Sequence, residues 1–272
     1  MTVCIAIACQ SIEPPRIILI TDHEVTTGSS SSDTMPRIRM LCPGWAAMFS
    51  GDDVRMVDII VMECQGRLHG APGQRVAEAM RVSYQGIRRK QIQDLYLSHY
   101  DWDMDKFLQL GLASLGETHH NRILADIEKF DLECEFLVAG LTEARHISDS
   151  ATIRTAPVLF KVHNPGVFTE LAPGYAAIGS GESAATAYLD SRRQGPHLSY
   201  VECLYSGIAA KTLAERAIGV GERTTVAVLS PGGAPILIKE EAVEAIKDMW
   251  RKEEFDVRPA SLKERVSEIL KA

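Results

Sequence analysis

The chain has no surplus of positive charge: 29 Lys and Arg stand against 36 Asp and Glu over 272 residues, a formal net charge of -7. A nucleic-acid footprint needs a basic face, so that class of partner is excluded. The one basic cluster, Arg88-Arg89-Lys90, falls in a helical pattern and reads as a solvated face. Uninterrupted apolar sequence of membrane-spanning length is missing too, as is a basic stretch followed by an apolar one near the N-terminus. A cytoplasmic protein without a membrane partner is therefore expected. Cysteine is sparse, and Cys4, Cys9, Cys42, Cys64, Cys134 and Cys203 include no close pair of metal-site or redox spacing. Cys4 and Cys9 sit among apolar neighbours and read as small core residues. The adjacent His119 and His120 point in different directions on a helix and lack partners at ligand spacing. No metal and no cofactor is expected. Neither an internal repeat nor a linker is visible.

What is present begins at the second residue. Met1-Thr2 opens the strand-like run Thr2-Val3-Cys4-Ile5-Ala6-Ile7-Ala8-Cys9. Removal of Met1 would give Thr2 a free α-amine beside its own hydroxyl. A threonine hydroxyl alone is a weak nucleophile, but an N-terminal amine with an ordinary pKa near ~8 can take its proton at neutral pH.

The rest of the chain alternates between two periods. Strands are predicted at 2–9, 16–22, 37–41 and 45–49, with Glu13-Pro14-Pro15 and Pro43-Gly44 as turns. The segment 26–33 reads as a polar loop. Helices are predicted from Asp52 and over 72–96, and 99–130 reads as irregular helix and loop. Strands resume at 135–140, 158–162 and 167–171, the last two joined by His163-Asn164-Pro165-Gly166, and again at 175–178. Two helices, 182–192 and 200–217, follow. The second opens on Ser199-Tyr200-Val201-Glu202, the pattern of a reciprocal N-terminal cap. Strands at 224–229 and 235–238 and a helix at 240–252 complete the body. A tail helix over 261–270, with Leu262, Val266, Ile269 and Leu270 on one stripe, packs either on its own domain or across a subunit boundary. Strand runs alternating with helix pairs predict an α+β fold: a four-layer αββα sandwich of two mainly antiparallel sheets flanked by helix pairs. One domain over 2–255, followed by a helical tail over 256–272, is the economical division.

Several short segments then match a known pattern in order and spacing. Thr2 opens the chain; Ile20-Thr21-Asp22-His23-Glu24-Val25-Thr26-Thr27-Gly28 follows; Met48-Phe49-Ser50-Gly51 and Ala177-Ile178-Gly179-Ser180-Gly181 each precede a helix. Together they resemble the proteasome β-subunit family of the N-terminal-nucleophile hydrolases, which includes a bacterial ATP-dependent relative. The resemblance spans roughly residues 2–240, with a longer middle section near 99–130.

It implies a threonine-type endopeptidase acting on peptides or unfolded proteins. It further implies a ring or helical homo-oligomer that encloses the sites, served by a ring ATPase. Carried over position by position, Thr2 is the nucleophile and its amine the base, Asp22 the orienting carboxylate, Gly51 the oxyanion donor and Ser180 the serine near the terminal amine. Thr26 and Gly28 are similar to the strand edge that pairs with a substrate backbone, and Phe49 to a wall of the primary specificity pocket.

Three departures stand out. The family's lysine falls on Arg37, and the first lysine of the chain is Lys90. Arginine supplies charge but does not give up a proton in a protein. Glu24 stands where the family has arginine. The late acid and serine are not recognisable in 217–223, where Glu222 is the approximate substitute. Two further readings stay open: a catalytically silent subunit of the same fold, and an amidohydrolase acting on small substrates.

Overall fold

The structure is a computed structural model that describes residues 2–11, 14–27, 30–33, 37–51, 54–69, 75–146, 149–171, 174–252 and 262–271. In chain order the strands are β1 (Cys4–Cys9), β2 (Arg16–Asp22), β3 (Glu24–Thr27), β4 (Ser30–Asp33), β5 (Ile38–Cys42) and β6 (Trp45–Gly51). Helices α1 (Val54–Leu68), α2 (Val76–Ile92), α3 (Met104–Leu115) and α4 (Glu117–Lys129) follow, with a π-helical turn at Gln93–Leu97. Then come β7 (Cys134–His146), β8 (Asp149–His163), β9 (Val167–Glu170) and β10 (Tyr175–Ile178). The remainder is α5 (Glu182–Ser191), α6 (Tyr200–Ala214), β11 (Thr224–Leu229), β12 (Ile236–Leu237), α7 (Glu240–Lys252) and α8 (Leu262–Ile269).

Two five-stranded sheets carry the fold, ordered β10-β1-β2-β11-β12 and β5-β6-β7-β8-β9, and every pairing in them is antiparallel. Strand periodicity sorts their side chains into layers. On β1, Cys4 and Ala6 face the second sheet, where they meet Ala46, Met48, Leu137 and Ala139. Its alternate residues Ile5 and Ile7 face outward onto Leu204 and Ile208 of α6 and Val243 and Ile246 of α7. On the far side, Ala47, Phe49, Phe136 and Val138 of the second sheet pack on Val57 and Ile60 of α1 and Met80 and Tyr84 of α2. Three apolar layers thus separate four layers of secondary structure, the αββα sandwich that the element order predicts.

Local chemistry fixes the helix that covers the first sheet. Ser199 Oγ accepts the Glu202 N–H at 3.3 Å while Glu202 Oε2 accepts the Ser199 N–H at 3.0 Å, so the reciprocal cap forms at the start of α6. Such a cap stabilises a helix end by about 1 kcal/mol. The tail helix α8 packs on its own domain, with Val266 fully buried among the α6 and α7 side chains and Ile269 against them.

Two expectations need correction. The polar segment 26–33 contains strands, because β3 and β4 form a separate two-stranded ribbon that pairs Thr26 with Ser31. Strands β7 and β8 also run far beyond 135–140 and 158–162, pairing Arg145 with Ile153 and, past a register shift, His146 with Asp149. The outer stretch, Glu143-Ala144-Arg145-His146 and Asp149-Ser150-Ala151-Thr152, is mostly polar in sequence and carries no apolar run that would announce a strand. The section near 99–130 resolves into α3 and α4, which close over a small cluster of Ile92, Leu97, Phe107, Ile123 and Ile127. His119 and His120 diverge within it: the former bonds Tyr100 and the latter's ring stacks on Phe107. Among the described residues no helix is long and apolar enough to cross a membrane.

Candidate active site

Register brings the start of β1 to the ends of its two neighbours. The pairing of Cys4 with Ile178 carries Thr2 alongside Ser180, and the pairing of Cys4 with Thr21 sets Val3 beside Asp22. Thr2 is fully buried. Its Oγ1 donates to Asp22 Oδ1. The Ser180 hydroxyl lies 3.2 Å from Thr2 N, whose N–H it accepts, and donates to the Thr2 carbonyl at 3.3 Å. The Gly181 N–H reaches the same carbonyl at 3.2 Å. Close approach here depends on Gly179, which has φ +90° and whose absent Cβ would stand 2.3 Å from Thr2 O. Only glycine meets both conditions without strain.

Asp22 is wholly enclosed between two sets of donors. Besides the Thr2 hydroxyl on Oδ1, its Oδ2 accepts the Gly221 N–H at 3.0 Å. Arg37, also buried, brings Nε to 3.6 Å from Oδ1. Burial lifts the Asp22 carboxyl above its ordinary value, while the Thr2 hydroxyl, the Gly221 N–H, Arg37 and Lys211 all pull it down. A buried carboxylate with these partners holds a hydroxyl in one orientation. His23, the next residue, is engaged with Thr225 Oγ1. Cys4 donates to the Phe49 carbonyl at 3.3 Å, and burial pushes its thiol up to about 12, so it stays a neutral, inert group.

An open cleft of about 350 Å³ adjoins this cluster, lined among others by Ser50, Gly51, Asp131, Glu133, Glu135 and His163. Glu135 joins the two regions. It pairs with Ser50 across the β6–β7 ladder, and its Oε1 accepts the Gly179 N–H at 2.9 Å, next to Thr2. Gly51 ends β6 with φ +141° at the wall of this cleft. Three carboxylates at its rim favour a cationic group over an anionic one.

The sequence-predicted residues divide accordingly. Thr2, Asp22, Arg37 and Ser180 come together, and Gly51 lies on the neighbouring cleft. Phe49 does not line an open pocket: it is fully buried in the layer under α1, with the Arg37 and Arg39 guanidinium carbons 5.4 and 5.2 Å from its ring centre. Alternation explains this, since Phe49 points to the helical side of the sheet while Met48 points to the other sheet. Thr26 lies on the β3 ribbon, and Gly28 falls outside the described residues. The side chain of Glu222 is exposed and turned from Asp22's cluster, whereas its carbonyl points inward.

Sequence reasoning missed Glu135, Gly221 and the buried pair Lys211 and Lys247. Lys211 had a legible signal, a lone cation in the apolar helix Cys203-Leu204-Tyr205-Ser206-Gly207-Ile208-Ala209-Ala210-Lys211. Among the described residues no group of three or more His, Cys, Asp or Glu side chains is placed to hold a metal ion. No protein-family model matches the chain, and no curated protein matches it either.

Proposed function

We propose that this chain is a proteasome-like threonine peptidase that hydrolyses peptide bonds once Met1 has been removed. The observation that carries the reading is the Thr2 hydroxyl seated on buried Asp22 with the Ser180 hydroxyl 3.2 Å from Thr2 N. Loss of Met1 turns that N–H into a free amine on the residue that carries the hydroxyl.

The hydroxyl turns its proton from Asp22 to its own amine, which takes it as Oγ1 attacks the substrate carbonyl carbon. Negative charge passes to the carbonyl oxygen, for which the Gly51 N–H at the cleft wall is the proposed donor. The ammonium returns its proton to the leaving amine as the C–N bond breaks, leaving an ester on Thr2. Water, deprotonated by the same amine, then splits the ester and regenerates the hydroxyl. Arg37 takes part as fixed charge beside Asp22 and not as a proton carrier. The acidic cleft favours peptides with a basic side chain.

A silent subunit of the same fold is the second reading. The complete burial of Thr2 and the arginine in place of the family lysine favour it. Intact-mass analysis and a panel of fluorogenic peptides separate the two. Loss of Met1 with cleavage by wild type and none by Thr2→Ala supports the peptidase. Processed protein that is inert toward every peptide leaves the scaffold. An open peptidase site is hazardous in a cell, so the peptidase reading includes an enclosing ring or helical homo-oligomer fed by a ring ATPase, for which particle mass in solution is the test.

A further inference from the structure

Behind Asp22, on the side away from Thr2, two buried lysines converge on one stretch of backbone. Lys211 of α6 has no exposed surface, and its Nζ donates to Gly221 O at 2.6 Å, Glu222 O at 2.9 Å and Glu215 Oε1 at 2.6 Å. Lys247 of α7, also buried, donates to the same Glu222 O at 2.7 Å and lies 3.0 Å from the same Glu215 Oε1. Every N–H of Lys211 thus has an acceptor. The residue whose carbonyl it grips, Gly221, is the one whose N–H meets Asp22 Oδ2 at 3.0 Å.

An apolar side chain would be the less costly occupant of an enclosed site on α6, since burying an ammonium is expensive even when it is paired. A buried cation whose donors go to two successive carbonyls instead fixes those carbonyls in space. The strand that follows, β11, pairs Thr224 with Asp22, so a shift at 221–222 is felt directly at the carboxylate.

We propose that Lys211, braced by Lys247 through Glu222 and Glu215, is a positioning residue for the catalytic carboxylate: it clamps the 221–222 backbone so that the Gly221 N–H holds Asp22 against the Thr2 hydroxyl. The proposal rests on the peptidase reading for its catalytic consequence. It gives the segment 217–223 a task done by backbone, which explains how the segment serves the site without the family's acid and serine. Asp22 also feels the Lys211 charge, together with that of Arg37 on its other side, while Lys211 itself faces Glu215, Lys247 and Asp22.

The experiment measures, against pH, the rate at which a threonine-directed electrophile labels Thr2 in Met1-processed wild type, Lys211→Met and Lys247→Met, with Thr2→Ala as the unlabelled control. Hydrogen exchange of peptides covering 219–224 is followed in the same proteins. Folded Lys211→Met is expected to label about tenfold more slowly. Its acid limb should move to higher pH because a cation has left Asp22. Exchange at 219–224 should quicken while β1 exchange is unchanged. Lys247→Met, which touches only the second carbonyl, should show the same changes at about threefold, and serves as the probe if Lys211→Met does not fold. Folded variants with wild-type labelling, pH profile and exchange overturn the clamp and leave the peptidase intact. Processed wild type that is never labelled overturns the peptidase reading, and the exchange at 219–224 then decides the clamp by itself.

Discussion

Thr2, Asp22, Ser180 and Gly221 all belong to, or directly border, the first sheet, whereas Arg37, Gly51 and Glu135 come from the second. The first set lies where β1 and β2 are covered on both faces, by the opposite sheet and by α6, and its members bond one another at short range. In the second set Arg37 is buried against Asp22, while Gly51 and Glu135 line the open cleft together with His163. In the proposed chemistry the first sheet supplies the bond-making groups, held by packing on two sides, and the second supplies the Gly51 oxyanion donor, the fixed charge of Arg37 and a recognition surface. Substitutions on the first sheet should then act on turnover, and those of the acidic rim residues Asp131 and Glu133 on substrate affinity.

The strongest way to break that division is Thr2→Ala. Peptide hydrolysis should fall by about a thousandfold or more, beyond what the about 1 to 3 kcal/mol of stability lost with the buried hydrogen bond to Asp22 accounts for; residual turnover near wild type would remove Thr2 from the chemistry. Next is Gly179→Ala. With φ +90° and a Cβ 2.3 Å from the Thr2 carbonyl, it should cost about 2 to 4 kcal/mol in urea unfolding and activity as well.

A comparable effect is expected from pH on the lysine clamp. Burial pushes the Lys211 ammonium down to about 8 from an ordinary 10.5, against the pull of Glu215. Between those values the unfolded chain binds the proton more tightly than the folded one. Stability credited to Lys211 therefore rises as pH climbs from about 8 toward 10.5, by at most about 3 kcal/mol, and is lost as pH falls through 8. Denaturant unfolding at both ends of that window should show this gain in wild type and its absence in Lys211→Met. The smallest effect belongs to the cleft. Glu133→Gln, at an exposed rim position, should raise KM for basic peptides about threefold and leave kcat alone. A change in kcat instead would sharpen the boundary between the two sheets by moving Glu133 across it.

How far the sequence foretold this arrangement follows the same divide. The first sheet was legible because its strands are short apolar runs between plain turns, as at Arg16–Asp22 and Tyr175–Ile178, and because Ser199 and Glu202 announce α6. The β3–β4 ribbon was not, since a run of serines has no alternating pattern to read. Nor were the long arms of β7 and β8, whose outer residues, such as Glu143, Arg145, Asp149 and Ser150, form no apolar run to read. The family resemblance implies a pocket wall at Phe49, while its face on β6 depends on pairing with β5 and β7. Glu135 and Gly221 meet their partners across 44 and 199 residues of sequence, contacts that no local signal encodes.

The most direct measurement is peptide mass spectrometry on purified protein treated with a threonine-directed electrophile. A chain that begins at Thr2 and carries the adduct on that residue, with no adduct in Asp22→Ala, is the expected result. Native protein that retains Met1, or an adduct that survives unchanged without Asp22, would contradict the central claim.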